Sequence, residues 1–375
     1  MEVTKRMTAK AAVETFIKPG ACLCVGGFGY TRLPMTLIRE IIRQRVGRLF
    51  VTTCGAAAAL EFLAANRLIE RLDTTYIGLE GFQPVAKNLR RQIEDGTIDC
   101  IEDYDNYSFC SRALAGRYGW PFAPVMCGLG SDLLEYDSFG EAGLRGRNAD
   151  GSWIHPSIPP KKFAVVEDPF DGWGLRPHHF AGGDTTANET NALDRVRQST
   201  AYTSHPGVKV VLVPPLLPDV TIIHAQIVGS EGTVRIDGVL AADVDKAIAA
   251  KTLIVSCEKV VPEEDLRVVP GANSIPAHCV DAIVEQPFGA YPSAVPGYYD
   301  YDWQFWANYA QINDLPQSDL DAWWREYTID TEDDWEFLAN KAGTDLPGNR
   351  KIGWERLFQL RAEPEYGYNP SLKRG

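Results

Sequence analysis

The sequence of 375 residues lacks several features that would assign it to a familiar class of protein. No stretch approaches the roughly 18 uncharged apolar residues that a transmembrane helix needs, so we predict no membrane association. Positive charge is also scarce, because 37 Lys and Arg face 50 Asp and Glu and the formal net charge is −13. A chain this acidic is a poor match for nucleic acid or for an anionic membrane surface.

Metal-binding and secretion patterns are missing as well. The eight cysteines form no Cys-x-x-Cys pair, which argues against a zinc knuckle or a thioredoxin-type redox site, and we predict no bound metal. Residues 1–10 contain basic residues without an apolar run behind them, so they are not typical of a signal peptide. Because the cysteines are scattered through apolar runs, the chain is predicted to be reduced and cytoplasmic.

What the sequence does contain is an alternation of strand and helix patterns in its first half. The apolar runs 21–25 and 49–53 are each followed by glycine and then by an amphipathic or alanine-rich helix pattern. Such an alternation predicts an α/β fold, a doubly wound, mostly parallel sheet with helices on both faces. Ligands of these sheets bind at the carboxyl ends of the strands, where the glycine-rich turns fall here.

The composition changes at two places along the chain. Residues 171–206 are rich in glycine and polar residues and show little periodicity, so we predict an inserted loop. Six of the nine tryptophans lie beyond residue 300, and residues 314–345 hold ten acidic residues against two basic ones. We therefore predict one α/β domain over residues 1–300 and a helical, aromatic-rich C-terminal extension over residues 301–375 that packs on it.

The strongest local motif is a glycine-rich turn directly after the first apolar run: Gly26, Gly27, Phe28 and Gly29, followed by Arg32. Glycines after a strand let backbone N–H groups approach a phosphate or a developing oxyanion. The motif is not the dinucleotide fingerprint, because the third glycine is missing, and no P-loop lysine follows it. A tight turn that merely requires glycine explains the pattern equally well.

Three other segments could carry chemistry. A second glycine turn, with Gly130 and Ser131, follows the apolar run 122–127, which we place on a neighbouring strand. Glu102 begins an acidic element that either performs acid–base chemistry or forms a solvated turn. His224 follows another apolar run and is either a base or a satisfied core histidine.

Taken together, these segments resemble the A (alpha) subunit of class I coenzyme A transferases, of the glutaconate CoA-transferase type. The resemblance begins with the glycine turn and with the Glu102-Asp103-Tyr104 element. Later runs strengthen it: 218–226, 232–236, 275–284, 289–293 and 299–302. It covers most of residues 7–170 and 207–345, and the segment 171–206 has no counterpart in the family pattern.

The resemblance implies a subunit that pairs with a homologous B (beta) subunit, commonly as A2B2, with the active site between the two. CoA moves between an acyl-CoA and a carboxylic acid through a glutamyl thioester on the B subunit, so CoA thioesters are substrates and no cofactor is bound permanently. Matching motifs carry over these site residues: Gly26, Gly27, Phe28 and Gly29 at the thioester, with Arg32 beside them as a partner for a carboxylate, and Gly130 and Ser131 facing the acyl group.

The B-subunit glutamate has no match in this chain. Glu80 and Glu231 stand in superficially similar settings within A-type contexts, so we expect the chain alone to be inactive. The resemblance also leaves a second reaction open, since some relatives are decarboxylases and others hydrolytically open a ring of a CoA-linked steroid degradation intermediate. In the hydrolase type an acidic A-subunit residue is the base, here Glu102. A third possibility is a regulatory or sugar-phosphate sensing module on a related α/β fold. Such a protein would add a helix-turn-helix and a basic face, and the sequence shows neither.

Overall fold

The computed structural model of this chain describes residues 4–170 and 209–362, so the predicted insertion 171–206 and the end of the predicted extension lie outside the described residues. The described strands are β1 (Cys22–Val25), β2 (Leu49–Thr53), β3 (Ile69–Thr74), β4 (Cys100–Asp103), β5 (Ala123–Val125), β6 (Ala164–Glu167), β7 (Lys209–Val213), β8 (Val220–Gly229), β9 (Val234–Arg235), β10 (Thr252–Val261) and β11 (Ala282–Glu285). The described α-helices are α1 (Ala9–Phe16), α2 (Met35–Arg43), α3 (Ala57–Ala65), α4 (Lys87–Glu94), α5 (Asn106–Tyr118), α6 (Ser138–Glu141), α7 (Asp243–Ala249), α8 (Glu263–Arg267), α9 (Trp303–Ile312), α10 (Gln317–Trp324), α11 (Asp334–Asn340) and α12 (Trp354–Ala362). Among these helices, none has the length and apolar character that crossing a bilayer requires.

The main sheet confirms the predicted α/β fold. Its strands run in the order β11-β10-β8-β1-β2-β3-β4, every neighbouring pair in this order is parallel, and β9 adds an antiparallel edge beside β8. Both faces are covered, as the alternation of side chains along β1 shows. Leu23 and Val25 belong to the core that includes α2 and α3, whereas Cys24 packs with Phe109 of α5 on the other face.

One expected strand pairing is wrong. The run 122–127 was expected to lie on a strand next to the first glycine turn, but its strand β5 belongs to a separate antiparallel sheet with the order β5-β7-β6. An apolar run predicts a strand without naming its partner, and Pro124 within β5 lacks the N–H that a central strand would use. The second glycine turn is therefore carried by a small sheet beside the main one.

The aromatic C-terminal helices pack against helices α2 and α3 of the main sheet. The rings of Trp306 and Trp324 are fully buried in the same core as α2 and α3. The Phe62 ring on α3 lies 5.8 Å from the Trp306 ring and 4.9 Å from the Trp324 ring, measured between centroids. The helical, aromatic-rich character is thus confirmed, while the boundary at residue 300 stays a prediction.

A buried ion pair also fastens the C-terminal segment to α2. The Arg39 guanidinium donates to both carboxylate oxygens of Asp334, at 2.6 and 2.7 Å, and both side chains are almost completely buried. Removing one partner of a buried pair leaves an uncompensated charge. We expect Asp334→Ala to lower the free energy of unfolding by about 3–5 kcal/mol in equilibrium urea denaturation.

The matched control for this prediction is Asp321→Ala, which removes an exposed pair between α10 and the segment that follows α3. Asp321 lies 3.5 Å from Arg67, and both side chains are nearly half exposed. Because exposed pairs contribute little, we expect a loss below about 1 kcal/mol. Equal losses for the two variants would contradict the anchoring role of Asp334.

Candidate active site at the carboxyl edge of the sheet

The first glycine turn lies at the carboxyl end of β1, between β8 and β2. Gly27 has a φ of +82°, and a Cβ built there would lie 2.8 Å from the Arg32 carbonyl oxygen and 2.9 Å from that of Thr31. Both its conformation and its surroundings therefore require glycine. The turn is at the edge where parallel sheets bind ligands, as the sequence predicted.

The backbone N–H groups of this turn are already hydrogen-bonded within the chain. Their acceptors are the Ile222 carbonyl for Gly26 (2.9 Å), the Asp243 carboxylate for Gly27 (2.8 Å), the Thr31 carbonyl for Phe28 (3.0 Å) and the Gly55 carbonyl for Gly29 (2.8 Å). The interpretation of the turn as a set of free oxyanion donors therefore does not hold for this chain. What the turn presents outward is the Phe28 side chain, which is 42% exposed.

Asp243 on α7 holds the turn in place. Its Oδ1 accepts from Gly27 N, and its Oδ2 accepts from Arg32 Nη1 at 2.6 Å. Lys246 follows one turn along the helix, and its Nζ lies 3.9 Å from the Asp243 carboxylate. The same Nζ lies 3.4 Å from the Val25 carbonyl, at the end of β1, and 3.4 Å from the Cys54 carbonyl, just after β2. Arg32, Asp243 and Lys246 are all fully buried. Asp243 and Lys246 could not be recognised from the sequence, because more than 200 residues separate them from the turn.

Arg32 was expected to bind a substrate carboxylate. In the structure the Arg32 guanidinium donates to the Val239 carbonyl and to the Asp243 carboxylate. The carboxylate that Arg32 binds within this chain is therefore that of Asp243. A direct contact between Arg32 and substrate stays a prediction. Through these two contacts Arg32 holds the loop that follows Gly29 in place.

Glu80 lies next to the turn. Its exposed side chain is 4.0 Å from the position that a Cβ would take at Gly29, and its backbone has a φ of +48°, which is unusual for a residue other than glycine. The neighbouring Leu79 carbonyl accepts a hydrogen bond of 2.6 Å from the Tyr30 hydroxyl, which ties the two loops together. Glu80 is thus a carboxylate of this chain at the edge of the candidate site.

Glu102, at the end of β4, is buried rather than part of a solvated acidic turn. Glu102 is 1% exposed, and its carboxylate forms an ion pair with Arg145. The Lys162 Nζ lies 3.2 Å from the Glu102 Oε1. Burial raises the pKa of Glu102 to about 7, against the opposing attraction of Lys162 and Arg145. A carboxyl with this pKa can exchange a proton near neutral pH.

The second glycine turn lies beside the carboxyl end of β4. Gly130 and Ser131 are exposed, and both the N–H and the hydroxyl of Ser131 donate to the Gly128 carbonyl. A small pocket separates this turn from the end of β4, and Gly128, Asp103 and Asp105 are among its lining residues. That Gly130 and Ser131 face the acyl group stays a prediction. The glycine of this turn that borders the pocket is Gly128.

His224 is a satisfied core residue. It is fully buried, with Nδ1 2.8 Å from the Ser256 hydroxyl and Nε2 2.9 Å from the Glu258 carboxylate. Of the two interpretations that the sequence left open, the structural one is correct. Across residues 4–170 and 209–362, no cluster of three or more His, Cys, Asp or Glu side chains is arranged to hold a metal ion.

Comparison with known proteins identifies the family. The family model described as coenzyme A transferase matches residues 6–286, about three quarters of the sequence. This chain belongs to the coenzyme A transferase family. It is 32% identical over 372 residues to the A subunit of glutaconate CoA-transferase from Acidaminococcus fermentans, and the alignment covers 99% of both chains. The family and the subtype that the sequence resembled are therefore confirmed.

Other comparisons agree with this assignment. The crystal structure of glutaconate coenzyme A-transferase from Acidaminococcus fermentans superposes with a TM-score of 0.76 over 97% of this chain and 98% of that one. The A subunit of 3-oxoadipate CoA-transferase from Pseudomonas knackmussii is 26% identical to this chain, and the alignment covers 90% of this chain and 98% of the relative. The IpdA subunit of a cholesterol ring-cleaving hydrolase from Rhodococcus jostii is 24% identical, covering 90% and 96%.

Proposed function

We propose that this chain is the A subunit of a heteromeric CoA-transferase that moves CoA between an acyl-CoA and a carboxylic acid. The observation that carries the proposal is the end-to-end similarity to the A subunit of a glutaconate CoA-transferase. The nucleophilic glutamate belongs to a homologous B subunit, and the two chains assemble as A2B2 in the cytoplasm. CoA thioesters are substrates, and no cofactor is bound permanently.

The reaction begins when the B-subunit glutamate attacks the thioester carbonyl and expels the CoA thiolate, which leaves an acyl-glutamyl anhydride. The thiolate then attacks the glutamyl carbonyl, releases the first carboxylate and forms a glutamyl-CoA thioester. The acceptor carboxylate reverses these two steps and leaves as the new acyl-CoA. Dividing one displacement among covalent intermediates lowers each barrier.

The A subunit contributes the shape of one wall of this site. Gly29 leaves the main chain bare of a side chain beside the half-exposed Phe28 ring, so a flat or extended substrate group can approach closely there, while Gly26 and Gly27 are buried behind them and shape the turn. Arg32 fixes this wall through Asp243. Gly130 and Ser131 extend the same edge toward the acyl group. In this proposal residues 1–300 form the catalytic α/β domain and residues 301–375 the extension that supports it.

The geometry of Glu102 favours a second candidate function, the ring-opening hydrolase. A buried carboxyl with a pKa of about 7 between two cations is suited to accept a proton from water or substrate. In this candidate the reaction rate rises with pH through about 7, because the base works only when deprotonated. The hydrolase relative is more distant than the transferase relative, so transfer is the function that we put first.

The substitution Glu102→Gln, made in the complex with the B subunit, distinguishes the two functions. A transferase is expected to keep its kcat within a few-fold, because the B-subunit glutamate performs the chemistry. A hydrolase is expected to lose about a hundredfold or more in kcat and to lose its rise in activity near pH 7. CoA transfer from acetyl-CoA to glutaconate and CoA-ester hydrolysis are both measured.

The matched control is Asp73→Asn, since Glu102→Gln also removes a buried ion pair. Asp73 lies opposite Glu102 on β3, is almost fully buried and accepts from Arg112 Nη1 at 2.8 Å. Both variants are expected to lower thermal stability, and neither is expected to abolish transfer. Loss of transfer in Glu102→Gln alone would overturn the transferase mechanism proposed here.

A further inference from the structure

Two cysteines meet behind the first glycine turn. Cys54 directly follows β2, and Cys110 is on α5, one helical turn after Asn106. Both side chains belong to the apolar cluster around Phe109 of α5. The Cys54 thiol also lies 3.5 Å from the Asn106 side-chain oxygen and 3.6 Å from the Thr75 hydroxyl. Because Asn106 and Cys110 lie one turn apart on the same face of α5, the contact between Cys54 and Asn106 places the two thiols near each other, as a disulfide requires.

The surroundings of Cys54 favour its thiolate form. The thiol lies against the first turn of α5, whose N-terminal N–H groups attract negative charge. Lys246 is fully buried nearby, with its Nζ 3.4 Å from the Cys54 carbonyl. The hydrogen bond from Cys110 and the charge of Lys246 lower the pKa of Cys54 to about 6, although burial and Asp243 oppose this. Cys110, by contrast, has a raised pKa.

We propose that Cys54 and Cys110 form an oxidisable dithiol that hydrogen peroxide converts to a disulfide. The Cys54 thiolate attacks one oxygen of hydrogen peroxide. The S–O bond forms with the sulfur's electron pair as the O–O bond breaks, and the other oxygen leaves as hydroxide. The resulting sulfenic acid is attacked by the Cys110 sulfur, the S–S bond forms, and water leaves with the Cys110 proton. Peroxide is the two-electron oxidant, and a thiol reductant reverses the reaction.

The disulfide would act on the candidate active site. Gly55, next to Cys54, accepts the hydrogen bond from Gly29 N at 2.8 Å, and the Phe28 ring lies directly over the Gly55 Cα. A bond from Cys54 to α5 therefore pulls on the residue that supports this turn. Because Cys54 is only 2% exposed, a small oxidant is the reagent that fits, and Cys110 is the more accessible of the pair.

The test is to treat the full-length chain with a modest molar excess of hydrogen peroxide, denature it, alkylate the free thiols and count the labels by mass spectrometry. We expect six labelled cysteines out of the eight in the sequence, one tryptic cross-link joining Cys54 to Cys110, and eight labels again after dithiothreitol. Eight labels after peroxide, or a cross-link between other cysteines, would overturn the proposal.

Three variants sharpen the result. In Cys110→Ser the sulfenic acid has no thiol to resolve it, so Cys54 is expected to be trapped by dimedone. In Cys54→Ser neither the cross-link nor the dimedone adduct is expected to form. Cys279→Ser replaces a half-buried cysteine elsewhere and is expected to leave the Cys54–Cys110 cross-link unchanged. Dimedone labelling of Cys127 in preference to Cys54 would contradict the assigned order of attack even if a variant folds poorly.

Discussion

Purified alone, this chain is expected to transfer CoA no faster than background, and adding its B subunit is expected to raise the rate by roughly a thousandfold or more. In the proposed mechanism this chain forms one wall of the site and the B subunit provides the attacking group. Among the residues described, the carboxylates of the turn region are Asp243, which is fully buried and paired with Arg32, and Glu80 at the rim.

The measurement is CoA exchange between acetyl-CoA and glutaconate with this chain, with the B subunit and with their mixture. In the mixture, borohydride added after acyl-CoA is expected to reduce a glutamyl-CoA thioester, and the modified residue is expected on the B subunit. The matched control within this chain is Glu80→Gln, which is expected to leave transfer intact. Full turnover by this chain alone, lost in Glu80→Gln, would move the nucleophile to Glu80 and end the two-subunit proposal.

Local patterns in the sequence were sufficient for two strands of the main sheet. The runs 21–25 and 49–53 became β1 and β2. These features depend on residues within a few positions of one another. Strand partners do not, which is why β5 was assigned to the wrong sheet.

The electrostatics of the site could not be predicted for the same reason. Gly27 N and Asp243 Oδ1 are 216 residues apart in sequence, and their hydrogen bond exists only because β1 and β8 are neighbours. Glu102 resembles any surface carboxylate in the sequence, and only the fold brings Arg145 and Lys162 over it. A single sequence indicates which residues are able to react, while burial and pairing decide what each one does.

The substitution Gly27→Ala is expected to lower kcat/KM of the complex by about a hundredfold, because a displacement of about 1 Å at an active site can cost that much. An alanine at a φ of +82° is strained by about 1 kcal/mol. Its Cβ would also lie within 3 Å of the carbonyl oxygens of Thr31 and Arg32, which are main-chain atoms with little freedom to move. The turn, the Phe28 ring and the Gly27–Asp243 hydrogen bond must therefore shift together.

Gly20→Ala separates backbone strain from displacement of the turn. Gly20 has nearly the same φ, +83°, but nothing lies within 4 Å of a Cβ built there. Both variants carry about the same conformational strain, so Gly20→Ala is expected to unfold at slightly lower urea concentration and Gly27→Ala, which adds the clashes, at a lower one still. Steady-state kinetics of the two complexes should differ sharply, with Gly20→Ala within about twofold of the parent protein. If Gly27→Ala also stays within about twofold, the turn does not border the reacting groups, and the site must lie elsewhere on the sheet edge.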